Sequence, residues 1–219
     1  LPVNRCFRKG GIAEYVQGGH LGYIREGIFV NRRVIWIRPD IYVINDEFYA
    51  EGSHTFRQFF HFAAGSRVEA DGDRAVFEGR KTKAFLSFLT PGCVLETAEG
   101  VCSGHYNQSE SNPLLRAVLE KEGFASMITV INGGAAAEAQ PARAELLEVF
   151  HHTEDRAVTD REAQAVQISL GDRSYVVIIC HDEVFHSSDA VIAGNCMATG
   201  NVSVFDTTGR KEGERLYGG

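Results

Sequence analysis

Hydrophobic and polar positions alternate with a period of two along most of the chain, which is typical of β-strands rather than helices. In the stretch RRVIWIR, Val34 and Trp36 fall on one face, and Ile35 and Ile37 fall on the other. Because both faces are apolar, we expect a strand that is covered on two sides. The apolar run IYVINDEF follows the turn residues at 38–40, so the two runs are predicted to be antiparallel neighbours.

A third run, TFRQFFHF, follows the turn AEGSH and has two faces of different character. One face carries Phe56, Gln58, Phe60 and Phe62, and the other carries Arg57, Phe59 and His61. This alternation predicts a strand whose two faces carry these two sets of side chains.

Further short strands are separated by turns rich in Gly and Asp, and a hairpin loop is expected at Gly171-Asp172. Strands that recur every 8 to 12 residues predict an all-β fold, an antiparallel β-sandwich of two packed sheets with few or no helices. We expect residues 1–219 to form a single domain, in which 133–145 is a flexible loop because small residues dominate that stretch.

The segment SNPLLRAVLEKEGF leaves two interpretations open. A short helix is one of them, because Asn112 suits a helix cap, Pro113 suits the first helical position and Gly123 suits a helix end. The other is an extended strand in keeping with the rest of the chain. The pattern of this segment alone does not decide between them.

The charge and the cysteine content of the chain argue against several classes of protein. The net charge of −7 and the isoelectric point near 5.6 argue against nucleic acid or an anionic membrane as a partner. No apolar run is long enough to span a bilayer. The five cysteines include no CxxC pair, so a disulfide scaffold or a zinc ribbon is not expected, and Cys180 is interpreted as a small buried hydrophobe.

Several short motifs occur in a characteristic order. They are Arg-Val at 33–34, Tyr-Val-Ile-Asn-Asp at 42–46, Gly-Ser-His at 52–54, Phe-Phe-His-Phe at 59–62 and Ser-Gly-His-Tyr at 103–106. In this order and spacing, the chain resembles the C-terminal β-sandwich of heparinase II/III-like polysaccharide lyases over roughly residues 15–135. The family pattern near Pro113 is extended, which favours the strand interpretation there.

The resemblance implies a role in the cleavage of uronic-acid polysaccharides by β-elimination. That reaction requires a neutralised carboxylate, a base for the adjacent proton and an acid for the leaving oxygen. In the family, an N-terminal α/α-toroid supplies most of these groups, and His-x-His and Ala-His-Asn-Thr motifs supply further catalytic and zinc-binding histidines. Neither motif is present here, so we expect no catalytic residue and no cofactor in this chain.

The chain has no initiator methionine, and we expect it to be the C-terminal part of a larger lyase-like protein, inactive alone. Its expected partners are the missing toroid and, through the parent protein, an acidic polysaccharide. The resemblance fits a secreted or periplasmic bacterial parent. An apolar surface left by the missing toroid would favour a homodimer.

Four residues are candidates for substrate contact, and each has a structural alternative. Arg33 could bind a uronate carboxylate or brace neighbouring strands. Tyr106 could stack on a sugar ring or pack in the core. His54 and His61 suit a sugar, hydrogen bonds at a sheet rim or, together with Asp46, a cation.

Two other possibilities stay open. The adjacent histidines His151 and His152 would point to opposite faces of a strand and could not readily bind one metal ion, whereas the pair His181…His186 allows a weak surface cation site. A stand-alone carbohydrate-binding module is the main alternative function, and an exposed aromatic platform from Trp36 or Tyr42 would favour it.

Overall fold

The computed structural model describes residues 2–11, 13–154, 156–181 and 190–209, together with the backbone of 214–218. These residues form nineteen strands and a single turn of 3-10 helix at Ile24–Glu26, so the predicted all-β fold is confirmed. None of the described helical residues forms a segment that is long and apolar enough to cross a membrane.

The strands are numbered along the chain. The first ten are β1 (Pro2–Lys9), β2 (Ala13–His20), β3 (Phe29–Ile37), β4 (Ile41–Tyr49), β5 (Ser53–His61), β6 (Arg67–Asp71), β7 (Arg74–Glu78), β8 (Thr82–Phe88), β9 (Val94–Cys102) and β10 (Glu110–Glu122). The remaining nine are β11 (Ala125–Ala135), β12 (Arg143–Leu147), β13 (Val149–His151), β14 (Ala163–Leu170), β15 (Arg173–Cys180), β16 (Val191–Ala193), β17 (Cys196–Ala198), β18 (Val202–Asp206) and β19 (Glu214–Gly218).

The strands assemble into four sheets, and every pairing between them is antiparallel. The largest is an eight-stranded sheet in the order β1-β2-β3-β4-β11-β8-β7-β6. The others are a five-stranded sheet, β12-β14-β15-β18-β19, and two three-stranded sheets, β5-β10-β9 and β13-β16-β17.

Three hydrophobic cores hold the sheets together as layers. The first lies between the eight-stranded and five-stranded sheets and includes Ile35, Ile37 and Val177. The second lies between the eight-stranded sheet and β5-β10-β9, where Phe56 packs beside Phe48. The third lies on the far side of the five-stranded sheet, against β13-β16-β17. Packed antiparallel sheets confirm the sandwich, with additional layers on its two outer sides.

The predicted turns and strand faces agree with the structure. Residues 38–40 connect β3 to β4, and Gly171-Asp172 connects β14 to β15 with Gly171 at φ 61°. In β5, Phe56 and Gln58 point into the core, whereas Phe59 on the opposite face is 48% exposed.

The segment around residues 112–123 is a strand, so the helical interpretation is wrong. Residues 112–122 lie within β10, which pairs with β5 on one side and β9 on the other, and Gly123 follows the strand in a bend. Alternate side chains at Leu115, Ala117 and Leu119 are buried in the second core. This period of two outweighs the helix-start signals of the sequence.

The loop predicted at 133–145 is shorter than expected. β11 continues to Ala135 and β12 begins at Arg143, so only residues 136–142 connect them. Gly133 belongs to β11. A Cβ at this position would lie 2.6 Å from the Lys83 carbonyl oxygen on β8. The glycine permits a close approach between β11 and β8 rather than marking a loop.

The expectation that β3 is covered on both sides is only half right. Ile35 and Ile37 are 0% exposed in the first core, whereas Val34 and Trp36 on the other face are partly exposed. The sheet β5-β10-β9 packs on β4, β7, β8 and β11 and leaves this part of the large sheet open.

Candidate functional site

A buried group of charged and polar side chains joins the eight-stranded sheet to the five-stranded sheet. At its centre, Glu47 Oε1 lies 2.7 Å from Arg33 Nε and 2.7 Å from His181 Nδ1. Glu47 Oε2 accepts a 2.8 Å hydrogen bond from Asn31 Nδ2. No member is more than 1% exposed. We call Asn31, Arg33, Glu47 and His181 the buried charge cluster.

Arg33 ties β3 to the backbone of the opposite sheet. Its Nη1 donates to the carbonyl oxygen of Cys180 at 2.8 Å and to that of Asn201 at 3.2 Å. Its Nε approaches Glu47 at an angle that does not make a hydrogen bond, so this contact is an ion pair. Arg33 was a candidate for substrate contact, but the structure gives it the contacts of a strand-bracing residue and no surface that a sugar can reach.

Both ring nitrogens of His181 have a partner. Nδ1 faces Glu47 Oε1 at 2.7 Å, and Nε2 faces Gln164 Oε1 at 2.9 Å. His181 thereby links Glu47 on β4 to Gln164 on β14 inside the core.

The environment favours the ionised form of Glu47. Burial alone raises the pKa of this carboxyl, but the hydrogen bond to His181 and the charge of Arg33 outweigh burial, and the pKa lies below its usual value. Charges removed from water in this way are compensated only while every partner is present. The cluster fixes the relative position of two sheets and offers no group to a ligand.

The structure does not bring His54, His61 and Asp46 together as a cation site. The two histidines lie near opposite ends of β5 and on opposite faces, about 23 Å apart at about 3.3 Å per residue. His54 Nε2 lies 2.8 Å from the Glu51 carbonyl oxygen, and Asp46 forms a two-pronged ion pair with Arg32 at 2.5 and 2.6 Å. Among the described residues, no group of three or more His, Cys, Asp or Glu is placed to hold a metal ion.

Tyr106 and His61 are accessible. Tyr106 lies in the connection between β9 and β10 and is 100% exposed, so the alternative of a core tyrosine is wrong. His61 is exposed at the end of β5. Of the four candidates for substrate contact, these two remain open to a ligand on the surface, and His54 is partly buried.

The structure also shows the surroundings of the other candidate histidines and of the cysteines. His181 is 1% exposed, so it cannot contribute to a surface cation site, and its proposed partner His186 lies outside the described residues. His151 Nδ1 accepts a 3.3 Å hydrogen bond from the Glu154 N–H. Cys6, Cys93, Cys102 and Cys180 are free thiols. Burial raises the pKa of Cys180 to about 11, which confirms that this residue is a neutral buried side chain.

Part of the eight-stranded sheet carries an accessible apolar surface. Phe7, Val16, Val34 and Ile44 form a continuous row across β1 to β4, because each is paired in register with the next. Phe7 is 59% exposed and Val16 is 46% exposed. We define the open face as Phe7, Val16, Val34, Trp36, Tyr42 and Ile44.

Two aromatic rings are held in order at one end of the open face. The rings of Trp36 and Tyr42 lie with centroids 5.9 Å apart and planes 3° apart. Trp36 Nε1 donates to the Pro39 carbonyl oxygen at 3.2 Å, and the Arg38 guanidinium lies 5.9 Å from the Trp36 ring centroid. Tyr42 is 39% exposed, so this pair is the accessible aromatic platform that the sequence allowed.

Sequence reasoning missed the buried charge cluster. One signal for it exists, because alternation along IYVINDEF places Glu47 on the same face as the core residues Ile41 and Val43. A buried carboxylate needs a partner. Its partner His181 lies 134 positions away, and no local pattern connects the two residues.

Comparisons with known proteins agree on the family and the fold. The profile of the heparinase II/III-like C-terminal family matches residues 2–143. Heparan sulfate lyase HepC from Pedobacter heparinus aligns with a TM-score of 0.68 at 12% identity, over 84% of this chain and 29% of the lyase. A structure of heparinase III aligns with a TM-score of 0.60 at 15% identity, over 80% of this chain and 27% of that protein. No curated protein matches the chain.

The chain spans less than a third of the length of these solved lyases. The family match covers the segment that carries β1 to β11, including the open face, β5 and β10. The chain therefore belongs to the heparinase II/III-like C-terminal family.

Proposed function

We propose that this chain is the C-terminal β-sandwich of a polysaccharide lyase, and that it packs its open face against an N-terminal α/α-toroid. The toroid would carry the groups for β-elimination of a uronic-acid-containing polysaccharide, and the sandwich would support it and form one wall of the cleft. The open face carries this proposal, because a row of apolar side chains across four strands of a large sheet is exposed to water.

The composition of the open face suits contact with another domain. Phe7, Val16, Val34 and Ile44 have no charge, and burying them would remove apolar area from water. Interfaces between domains of one chain typically bury about 600–1,500 Å². The ordered Trp36–Tyr42 pair at one end of this surface would then stand beside the joint between the two domains.

The described residues favour a supporting role over catalysis by this chain alone. Arg33 and His181, which flank the buried Glu47, are sealed from solvent. Among the described residues, no acidic or basic side chain is hydrogen-bonded to the accessible candidates His61 and Tyr106, and general acid–base catalysis requires such an activating group. We expect the catalytic groups and any zinc to lie in a part of the parent protein outside this chain.

The first test is a charge placed on the open face. We expect Val16→Asp to weaken association of the isolated chain with itself or with the toroid by about tenfold or more, because a carboxylate would be buried without a partner. Sedimentation of the isolated chain and thermal unfolding of the full-length parent measure the two effects. Val16 is 46% exposed, so the substitution leaves the core intact.

Val101→Asp is the matched control, because Val101 is 70% exposed on β9, away from the open face. It should leave both measurements unchanged. The proposal fails if the chain is monomeric at every concentration and Val16→Asp leaves the unfolding of the parent protein as it was.

A further inference from the structure

The outer face of the sheet β5-β10-β9, on the side away from the core, carries an exposed aromatic ring among cationic side chains. Phe59 is 48% exposed and is paired in register with Arg116 on β10, which is paired in turn with Glu96 on β9. Arg57 and His61 flank Phe59 on the same face of β5, two residues away on either side, and both are exposed. One acidic side chain thus accompanies two arginines and a histidine at the centre of this face.

Two buried polar atoms on this side of β10 have no hydrogen-bond partner among the described residues. They are Arg116 Nε and Asn112 Oδ1. Arg116 Nη2 contacts Glu96 Oε2 at 3.2 Å, and Asn112 Nδ2 donates to the Phe62 carbonyl oxygen at 2.8 Å, so each side chain is only partly satisfied. Unmade hydrogen bonds of this kind are costly. A ligand that supplied the missing partners would relieve that cost.

Gly100 makes room for a polar recess at one end of the same face. A Cβ at this position would lie 2.9 Å from Asn112 Oδ1 and 3.3 Å from His61 Nδ1. Both polar atoms therefore converge above a glycine that carries no side chain. Asn112 is 2% exposed, and the His61 ring lies close beside its amide.

We infer that this outer face is a binding site for an acidic polysaccharide, separate from the open face of the eight-stranded sheet. Phe59 would stack on a sugar ring, and the guanidinium groups of Arg57 and Arg116 would bind carboxylate or sulfate groups on neighbouring sugars. Asn112 Oδ1, which lies beside Gly100 and has no hydrogen-bond partner among the described residues, would accept a hydrogen bond from a sugar hydroxyl. This inference rests on the proposed function, because that function is the reason for choosing an acidic polysaccharide as the ligand.

The charge and polarity of this face favour a polysaccharide over a second protein surface. The row that begins at Phe59 continues into Arg116 and Glu96, whereas the adjacent row runs from Arg57 into the apolar residues Val118 and Val94, of which Val94 is 60% exposed. After Glu96, the acidic residue nearest to Phe59 on this face is Glu120. It is paired with Thr55, one cross-strand pair farther from Phe59 than Arg57 is. The positive groups therefore lie together around Phe59, where they complement an anionic chain.

The test uses the isolated chain with heparan sulfate and hyaluronan oligosaccharides as acidic probes and neutral dextran oligosaccharides as the uncharged probe, measured by calorimetry. Phe59→Ala should weaken binding of the acidic probes by about tenfold, and Phe59→Tyr should retain it. The double change Arg57→Ala with Arg116→Ala should weaken binding and reduce its dependence on salt. Comparison of the two acidic probes separates sulfate from carboxylate recognition.

Phe150→Ala is the matched control, because Phe150 is a phenylalanine on β13 with a similar exposed fraction of 45% and lies outside both proposed surfaces. Equal effects of Phe59→Ala and Phe150→Ala would overturn the inference, as would the absence of binding or equal binding of dextran. Unchanged thermal unfolding of each variant shows that folding is intact. Failure here leaves the proposed docking of the toroid unaffected, since that rests on Val16→Asp in the parent protein.

Discussion

Replacing the buried carboxylate, Glu47→Gln, should destabilise the chain by about 3–5 kcal/mol. The amide has the same shape, but it leaves the positive charge of Arg33 without a counter-charge in the core and removes the carboxylate that faces His181 Nδ1. For a protein of this size, the loss corresponds to a decrease in melting temperature of about 6–20 °C. Urea unfolding and calorimetry measure both quantities, and Glu110→Gln at an exposed position of β10 should change stability by less than about 0.5 kcal/mol.

The pH dependence distinguishes lost charge pairing from lost packing in this variant. The folded-state pKa of Glu47 lies below its ordinary value of 4.5, so its contribution to stability is present above that pH and is lost as the pH falls through the folded pKa. The difference in stability between the wild type and Glu47→Gln should therefore shrink as the pH falls below about 4.5. A difference that stays constant with pH would show that the cluster stabilises the fold by packing alone.

Gly133→Ala should destabilise the chain by about 1–3 kcal/mol, because the added methyl group meets backbone rather than a movable side chain. Its Cβ would lie 2.6 Å from the Lys83 carbonyl oxygen and 2.9 Å from Ala84 Cα, so β8 and β11 must separate. These strands pair in the middle of the eight-stranded sheet. Chemical unfolding with a single transition measures the effect.

The neighbouring glycine provides a control of identical chemistry. Gly134→Ala places a Cβ where no atom lies within 4 Å, and the backbone there does not require a left-handed conformation. We expect a change within about 0.5 kcal/mol or a slight stabilisation, since alanine restricts the unfolded chain. Equal losses for the two variants would contradict a specific close approach at Gly133.

Local alternation was sufficient to predict the strands, the hairpins and the β-sandwich, because one residue in two faces a core along nearly every run. The pairing partners of distant strands were not predictable in this way. β4 lies beside β11, which follows it by more than seventy positions, and no short-range pattern specifies that contact. Gly133 shows a second limit of prediction from sequence. The small residues of 133–145 suggested a loop, whereas Gly133 lies where two paired strands approach closely.

The exposed surfaces were predictable only in part. The period of two places Phe59 and His61 on one face of β5, and the structure shows that this face is the outer one. In contrast, the apolar character of Val34 and Trp36 suggested a covered face, because a buried face and a docking face have the same composition. Only the extent of the sheet β5-β10-β9 shows which part of the large sheet is left exposed.

Three regions of the molecule have different roles. The buried charge cluster fixes the two large sheets against each other, the open face is proposed to meet the toroid, and the Phe59 surface is proposed to hold the polysaccharide. These three regions lie on different layers, so each can be changed without altering the others. Substitutions at distant, independent sites should have additive effects on stability.

The most direct measurement compares the isolated chain with its full-length parent on heparan sulfate, chondroitin sulfate, alginate and hyaluronan, and follows the ultraviolet absorbance of the unsaturated uronate product. The account predicts product from the full-length protein with at least one of these substrates and none from the isolated chain at matched concentration. Product formed by the isolated chain would contradict a supporting role. His61 and Tyr106 would then be the first residues to replace.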